Sequence, residues 1–266
     1  SAHPRNLLIS EPKKSLLPEN CGRPRVRNKI FGGTPTPIGA YPWVVALGYR
    51  VYYNVIKTNK IIAVIQLGTW NLDSDEDCIE DRNSRQRRCF SHIVSGFEDI
   101  VIHPTFDKEA EFADDIALIR LNITLSFDRD DNVLIRPVCL PSSDLRVRDY
   151  GRGRMAIGAG WGLTEHKNYS SVLMSVELPI VNNKHCVRRY KRQFVGNQLC
   201  AGGERGKDTC IGDSGGPLVL SDPFGPPFTQ VGIVSFGQTP CGGKSTPGVY
   251  TSVARYRKWI ENNLKP

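Results

Sequence analysis

An all-β fold held by disulfides is what this 266-residue chain predicts, on three observations. Gly 25 and Pro 18 punctuate the sequence closely, and the short apolar runs between them read as strands. Eight cysteines, an even number and well dispersed, lack the CxxC pairs and neighbouring histidines of a zinc site. They imply an oxidising compartment. Helical spacing shows in Ala254 to Leu264, where Tyr256, Trp259, Ile260 and Leu264 recur on one face. The length allows one large all-β unit or two small domains, with a sizeable core. No stretch approaches the apolar length of a membrane span, so no membrane partner is expected. The chain starts at Ser1 without a charged-then-apolar leader, as a processed or excerpted form would.

Net charge is +8, and basic residues cluster in Arg82 to Arg88, Arg146 to Arg154 and Arg188 to Arg192. Such runs can bind polyanions. No aromatic platform or recognition helix accompanies them, so solvated loops are the better reading and no nucleic-acid partner is expected. Two sequons, at Asn122 and Asn168, agree with a secreted, extracellular glycoprotein.

The chemistry concentrates in Lys207-Asp208-Thr209-Cys210-Ile211-Gly212-Asp213-Ser214-Gly215-Gly216-Pro217-Leu218. Glycines around a serine let the backbone turn tightly, so that N–H groups point at one oxygen. A nucleophilic hydroxyl with an oxyanion hole needs that: Ser214 Oγ to attack, and the N–H groups of Gly212 and Ser214 to hold the developing charge. The string GDSGGPLV resembles the nucleophile loop of the chymotrypsin-like (trypsin-family) serine proteases. That resemblance implies two antiparallel β-barrels with the active site between them, and it covers roughly residues 16 to 266. It divides the chain into a pro-segment or linker over 1–29 and a protease domain over 30–266. Within the domain, the first barrel takes about 30–140, the second about 141–253, and a C-terminal helix about 254–264.

Taken in order, residues 1–29 are polar, proline-containing and basic. Lys29-Ile30-Phe31-Gly32-Gly33 resembles the family's activation site, where cleavage after Lys29 frees the Ile30 amino group to pair with Asp213. Leu16-Leu17-Pro18-Glu19-Asn20-Cys21-Gly22 resembles the connector of arthropod clip-domain proteases, the cascade enzymes of melanisation, clotting and Toll signalling. By that likeness Cys21 bridges to Cys139 and tethers the pro-segment after cleavage.

Tyr41 to Leu47 and Val64 to Trp70 match two strands of the family's first barrel. Between such strands the family carries a CGG strand and an AAHC block with the catalytic histidine. Residues 48 to 63 contain neither histidine nor cysteine. The first barrel is therefore expected to be incomplete, with Val51 to Ile56 and Ile61 to Leu67 forming a hairpin around Lys57 to Lys60 as a partial patch. The remaining histidines are His3, His92, His103, His166 and His185, none of them in the family's setting.

Cys78 and Cys89 resemble an extra short-range bridge of clip proteases. The acids Asp73, Asp75, Glu76, Asp77 and Glu80 offer oxygens to a hard cation. Thr69 stands where such relatives carry an acid, so calcium is disfavoured and no cofactor or metal is expected.

Asp115 opens the apolar run Asp115-Ile116-Ala117-Leu118-Ile119-Arg120-Leu121. A buried carboxylate there needs a donor, and by resemblance it is the triad acid. Gly158 to Gly162 resembles the strand and turn that open the second barrel's core. The resemblance also pairs Cys186 with Cys200 and Cys210 with Cys241. It puts Asp208 at the base of a specificity pocket for Arg or Lys side chains, with Ser235, Gly237 and Gly248 as walls. Phe236 stands where the family usually has Trp.

Two functions are implied, from different classes. One is a trypsin-like zymogen cleaving after Arg or Lys in a secreted cascade, whose chain as written is impaired by the absent histidine. The other is a non-catalytic homologue acting as adaptor or decoy. The implied partners are protein substrates, an upstream activating protease and a serpin inhibitor.

Overall fold

The computed structural model describes residues 16–24, 34–53, 58–80, 86–127, 133–145, 153–222 and 225–265. The strands of the first half are β1 (Thr34–Pro35), β2 (Val45–Tyr53), β3 (Thr58–Leu67), β4 (Glu76–Glu80), β5 (Arg87–Ser91), β6 (Ile93–Ser95), β7 (Phe97–Ile102) and β8 (Ala117–Leu121). The second half holds β9 (Met155–Gly160), β10 (Met174–Val181), α1 (Lys184–Tyr190) and β11 (Gln198–Gly202). It ends with β12 (Pro217–Asp222), β13 (Gly225–Phe236), β14 (Pro247–Ser252) and α2 (Val253–Asn263).

The second half closes. Its strands pair in the order β9-β10-β11-β14-β13-β12, and β12 pairs back to β9, with β1 added on β10. Closure removes the exposed edges that an open sheet would present. Leu178, Leu199, Leu218 and Tyr250 are fully buried inside this barrel. Every residue of β11 and β14 is buried, because their outer faces are covered as well. Val249 there packs on the Cys186–Cys200 bridge. Helix α2 lays Val253, Tyr256 and Ile260 against Ile116, at the spacing the sequence showed. Burial of each such side chain contributes about 1.5–3 kcal/mol.

In the first half the described strands form a three-stranded sheet, β2-β3-β6, and two hairpins, β4-β5 and β7-β8. The expected hairpin across residues 48–63 is present with a different register. Tyr53 lies opposite Thr58, so Thr58 to Lys60, expected in the turn, are paired residues of β3, and Lys57 lies outside the described residues. The pairing is pinned at its inner end, where Val45 faces Leu67 and Leu47 faces Ile65, with Ile65 and Leu67 buried beside Ile135. A one-residue slip would turn those side chains to solvent. A bulge at Gly48/Tyr49 takes up the remaining residue.

All four cysteine pairs, Cys21–Cys139, Cys78–Cys89, Cys186–Cys200 and Cys210–Cys241, are bonded. The first seats the connector on the second barrel. Gly22 there donates to Pro137 O at 2.8 Å and accepts from Phe228 N at 2.7 Å. Its φ is +63°, and a Cβ at this position would collide with the Phe228 backbone. Gly22→Val should therefore lower stability by about 2 kcal/mol through lost hydrogen bonds and backbone strain. Thermal unfolding should register a drop in Tm of roughly 5 °C, with exposed Arg23→Ala as the unchanged control. Equal Tm values for both variants would show that the connector is not docked.

Candidate active site

The nucleophile loop connects β11 to β12, and its glycines set its course. Gly212 and Gly215 have φ of +99° and +81°, where a side chain would be strained. Gly215 N donates to Val234 O and Val234 N donates to Gly216 O, both at 2.9 Å. Ser214 is thus pinned, exposed, beside the end of β13. The N–H groups of Gly212 and Ser214 make no hydrogen bond within the described residues.

Asp115 is fixed by the next residue of the same strand. Ser235 Oγ donates to Asp115 Oδ2 at 2.7 Å, and Thr251 Oγ1 donates to its backbone oxygen at 2.7 Å. Burial raises the Asp115 carboxyl above the usual carboxylate range, opposed by the Ser235 hydrogen bond. Ser235, expected as a pocket wall, turns its hydroxyl to Asp115, because that partly buried carboxylate needs a donor. One segment of β13 therefore holds the loop of Ser214 through Val234 and Asp115 through Ser235.

None of the described histidines mediates between them. His92 is buried, with Nε2 at 2.7 Å from Asp77 Oδ2 and Nδ1 at 2.8 Å from Gln66 Nε2. His103 lies against Thr105, Tyr256 and Trp259, with Asp114 3.9 Å away. His166 pairs with Glu165 on the surface, and His185 is exposed on α1. Both histidines that could stand in as base, His92 and His103, are thus held by other partners. His3 lies outside the described residues.

Asp213 points away from solvent. It accepts from Gly162 N at 2.8 Å and Cys210 N at 2.9 Å, and a Cβ on Gly160 would collide with its carboxylate. Burial raises this carboxyl, against the two N–H donors. A cavity of about 320 Å³ opens beside it, bordered by Gly160, Gly162, Ser175 and Asp208. Lys29 and Ile30, the expected activation bond, lie outside the described residues.

Asp208 Oδ2 accepts from Gly242 N at 3.0 Å, while its Oδ1 is buried without a partner. Burial is the main cause that pushes this carboxyl up to about 6, with the Gly242 and Thr209 N–H groups acting against it. Gly237 and Gly248 face each other closely, a Cβ on the first reaching Gly248 Cα at 3.9 Å. The Cys210–Cys241 bridge and the Tyr250–Thr209 hydroxyl pair at 2.9 Å brace the floor. Phe236 stacks on Phe112 at 5.4 Å and meets Tyr190 edge-on. Gly242, Phe112 and Tyr190 were not legible as site residues, since each reaches the site through a long-range contact.

The acidic stretch before Cys78 contributes no open cation cage at Asp77. That carboxylate is buried and accepts from Trp70 N at 2.6 Å and from Asn71 N, besides facing His92. Of the two sequons, Asn168 is exposed, whereas the exposed Asn122 accepts from Ser95 Oγ at 3.0 Å through its Oδ1.

Similarity to known proteins extends along nearly the whole chain. The family profile described as Trypsin matches residues 30–260. Phenoloxidase-activating factor 1 of Holotrichia diomphalia is 34% identical over 295 aligned positions, covering 99% of this chain and 77% of the relative. Melanization protease 1 of Drosophila melanogaster is 32% identical, covering 99% and 74%. The crystal structure of the Drosophila Grass clip serine protease of the Toll pathway superposes with a TM-score of 0.71 at 28% identity, covering 91% and 74%. The first alignment has 295 positions against 266 residues, so at least 29 of them have no residue of this chain.

Proposed function

Because the chain belongs to the trypsin family of serine proteases, we propose that it is a clip-type cascade zymogen that binds Arg or Lys side chains but hydrolyses peptides poorly. The carrying observation is the β13 segment that holds the Ser214 loop and Asp115, with no imidazole of the described residues between them. In this reading Ser214 is the nucleophile and Asp115 the orienting acid. The free N–H groups of Gly212 and Ser214 receive the oxyanion. What is missing is the base that takes the Ser214 proton. The β2–β3 hairpin runs where the histidine block belongs.

The unpartnered Asp208 Oδ1 supports the basic specificity, since a guanidinium or ammonium would supply the donor it lacks. The retained pocket favours two uses of such binding. Protein substrates and a serpin-type inhibitor would present Arg or Lys to it in an extracellular cascade. A second reading, an adaptor or decoy that holds a target without cutting it, is favoured by the β2–β3 pairing that stands in place of the histidine block.

Activation by an upstream protease fits the cavity beside Asp213. An Ile30 ammonium entering it would give the buried carboxylate a counter-charge and pull its pKa back down. Limited trypsin digestion should cut first between Lys29 and Ile30, and the two fragments should stay joined through Cys21–Cys139 until reduced. N-terminal sequencing checks the bond and non-reducing gels check the tether. A first cut elsewhere, or separation without reductant, overturns the zymogen reading.

A further inference from the structure

The Cys78–Cys89 bridge differs from the other three in access and in its charged surroundings. It joins residues that face each other directly across β4 and β5. All eight cysteines are described, and Cys89 is the only exposed one. Cys186 and Cys200 are fully buried, and Cys21, Cys139, Cys210 and Cys241 are half-buried. An attacking thiolate therefore has its freest approach at Cys89 Sγ. The bridge joins residues only 11 apart in sequence, against 118 and 31 for Cys21–Cys139 and Cys210–Cys241. A short loop constrains the unfolded chain least, so the fold loses little when this bridge opens. Cys186–Cys200 spans only 14 residues, but its burial withholds it from exchange.

Charge favours the same bridge. Arg87 Nη2 donates to Cys78 Sγ at 3.2 Å, where a guanidinium stabilises a thiolate leaving from that sulfur. The Glu76 carboxylate opposes it from 4.0 Å. Coulomb energy falls with distance, so the nearer guanidinium prevails.

The hairpin is anchored at one end only. On the inner side of the bridge, Asp77 accepts from Trp70 N and faces the buried His92. On the outer side the described pairs are Ile79–Arg88 and Glu80–Arg87, and among the described residues β4 and β5 pair with no other strand. A two-stranded ribbon by itself is marginal in water, so the bridge is what keeps Arg87 and Arg88 in the ladder. Both side chains are exposed. Their backbone is withheld from a protease for as long as it stays paired, because a cleft admits an unpaired, extended segment.

We propose that Cys78–Cys89 is a thiol-exchange site whose opening by a partner dithiol exposes Arg87 and Arg88 to Arg-specific proteolysis. The partner's thiolate attacks Cys89 Sγ, the S–S bond breaks, and Cys78 leaves as the thiolate beside Arg87 and takes a proton from water. The partner's second thiolate then displaces Cys89 from the mixed disulfide, and Cys89 is protonated in turn. Two electrons have passed to this chain, and the partner ends as a disulfide.

The test exposes the intact oxidised chain to graded dithiothreitol as the probe dithiol, then to iodoacetamide, and maps the alkylated peptides. Cys78 and Cys89 should be alkylated about tenfold faster than the other six cysteines. Arg87→Gln should slow that exchange about threefold and leave the other bridges unchanged. Trypsin added after mild reduction should produce new N-termini at Arg88 or Cys89, absent from the oxidised chain, with Cys21–Cys139 still bonded. A variant carrying both Cys78→Ser and Cys89→Ser should be cut after the same arginines without reductant. The proposal is overturned if another pair opens first or all four open together. It is equally overturned if the bridge exchanges quickly and no cut appears after Arg87 or Arg88.

Discussion

Cleaved at Lys29 and given an Arg-amide substrate, the chain should turn over about 10⁶-fold more slowly than a protease with all three triad groups. In another serine-protease triad, loss of the histidine alone costs about that factor in kcat, or roughly 8 kcal/mol of barrier. Ser214 keeps its proton at neutral pH, and Asp115 is tied to Ser235. In the proposed reading, the oxyanion donors and the basic pocket retain at most about 10³–10⁴ over water. A fluorophosphonate probe should label Ser214 correspondingly slowly. Inserting a histidine block of the family's pattern between β2 and β3 should restore both readouts if Ser214, Asp115 and the pocket have the proposed roles. Labelling of the unaltered chain at an ordinary protease rate would mean that some other group serves as base.

Replacement of Asp208 by Asn should stabilise the fold at neutral pH while removing affinity for cationic side chains. The Asp208 carboxyl is raised from 3.8 to about 6, mainly by burial. A carboxyl raised on folding binds its proton more tightly in the native state. Its stability contribution is thus complete below pH 3.8 and lost as pH rises through 6. At pH 7 the loss is up to about 3 kcal/mol. Asp208→Asn should therefore raise Tm at pH 7 and leave it nearly unchanged at pH 4. Affinity of the unaltered chain for benzamidinium should be about tenfold weaker at pH 5 than at pH 8, since the cation needs the ionised form. Calorimetry at the two pH values and a binding titration check both halves. A lower Tm for the Asn variant at pH 7 would show that the carboxylate is compensated by another partner.

What the sequence determined by itself is the local chemistry. GDSGGPLV, the acid before IALIRL, the even set of cysteines and the C-terminal helical spacing are short strings whose chemistry depends on neighbours in the chain. The absence of both histidine and cysteine from residues 48–63 was equally legible. Tertiary structure decided the rest. Thr58 to Lys60 joined strand β3 because the pairing at Val45–Leu67, with Leu67 buried, sets the register from the core outward. Ser235 went to Asp115 and His92 to Asp77 because partly buried and buried carboxylates take the nearest donors, which lie 120 and 15 residues away. A second cavity, beside Ser214, brings β2 together with Leu72 and Tyr169, and no local pattern encodes that meeting. Bond-forming residue types can be read one segment at a time, whereas a cavity is defined by surfaces that only folding brings face to face.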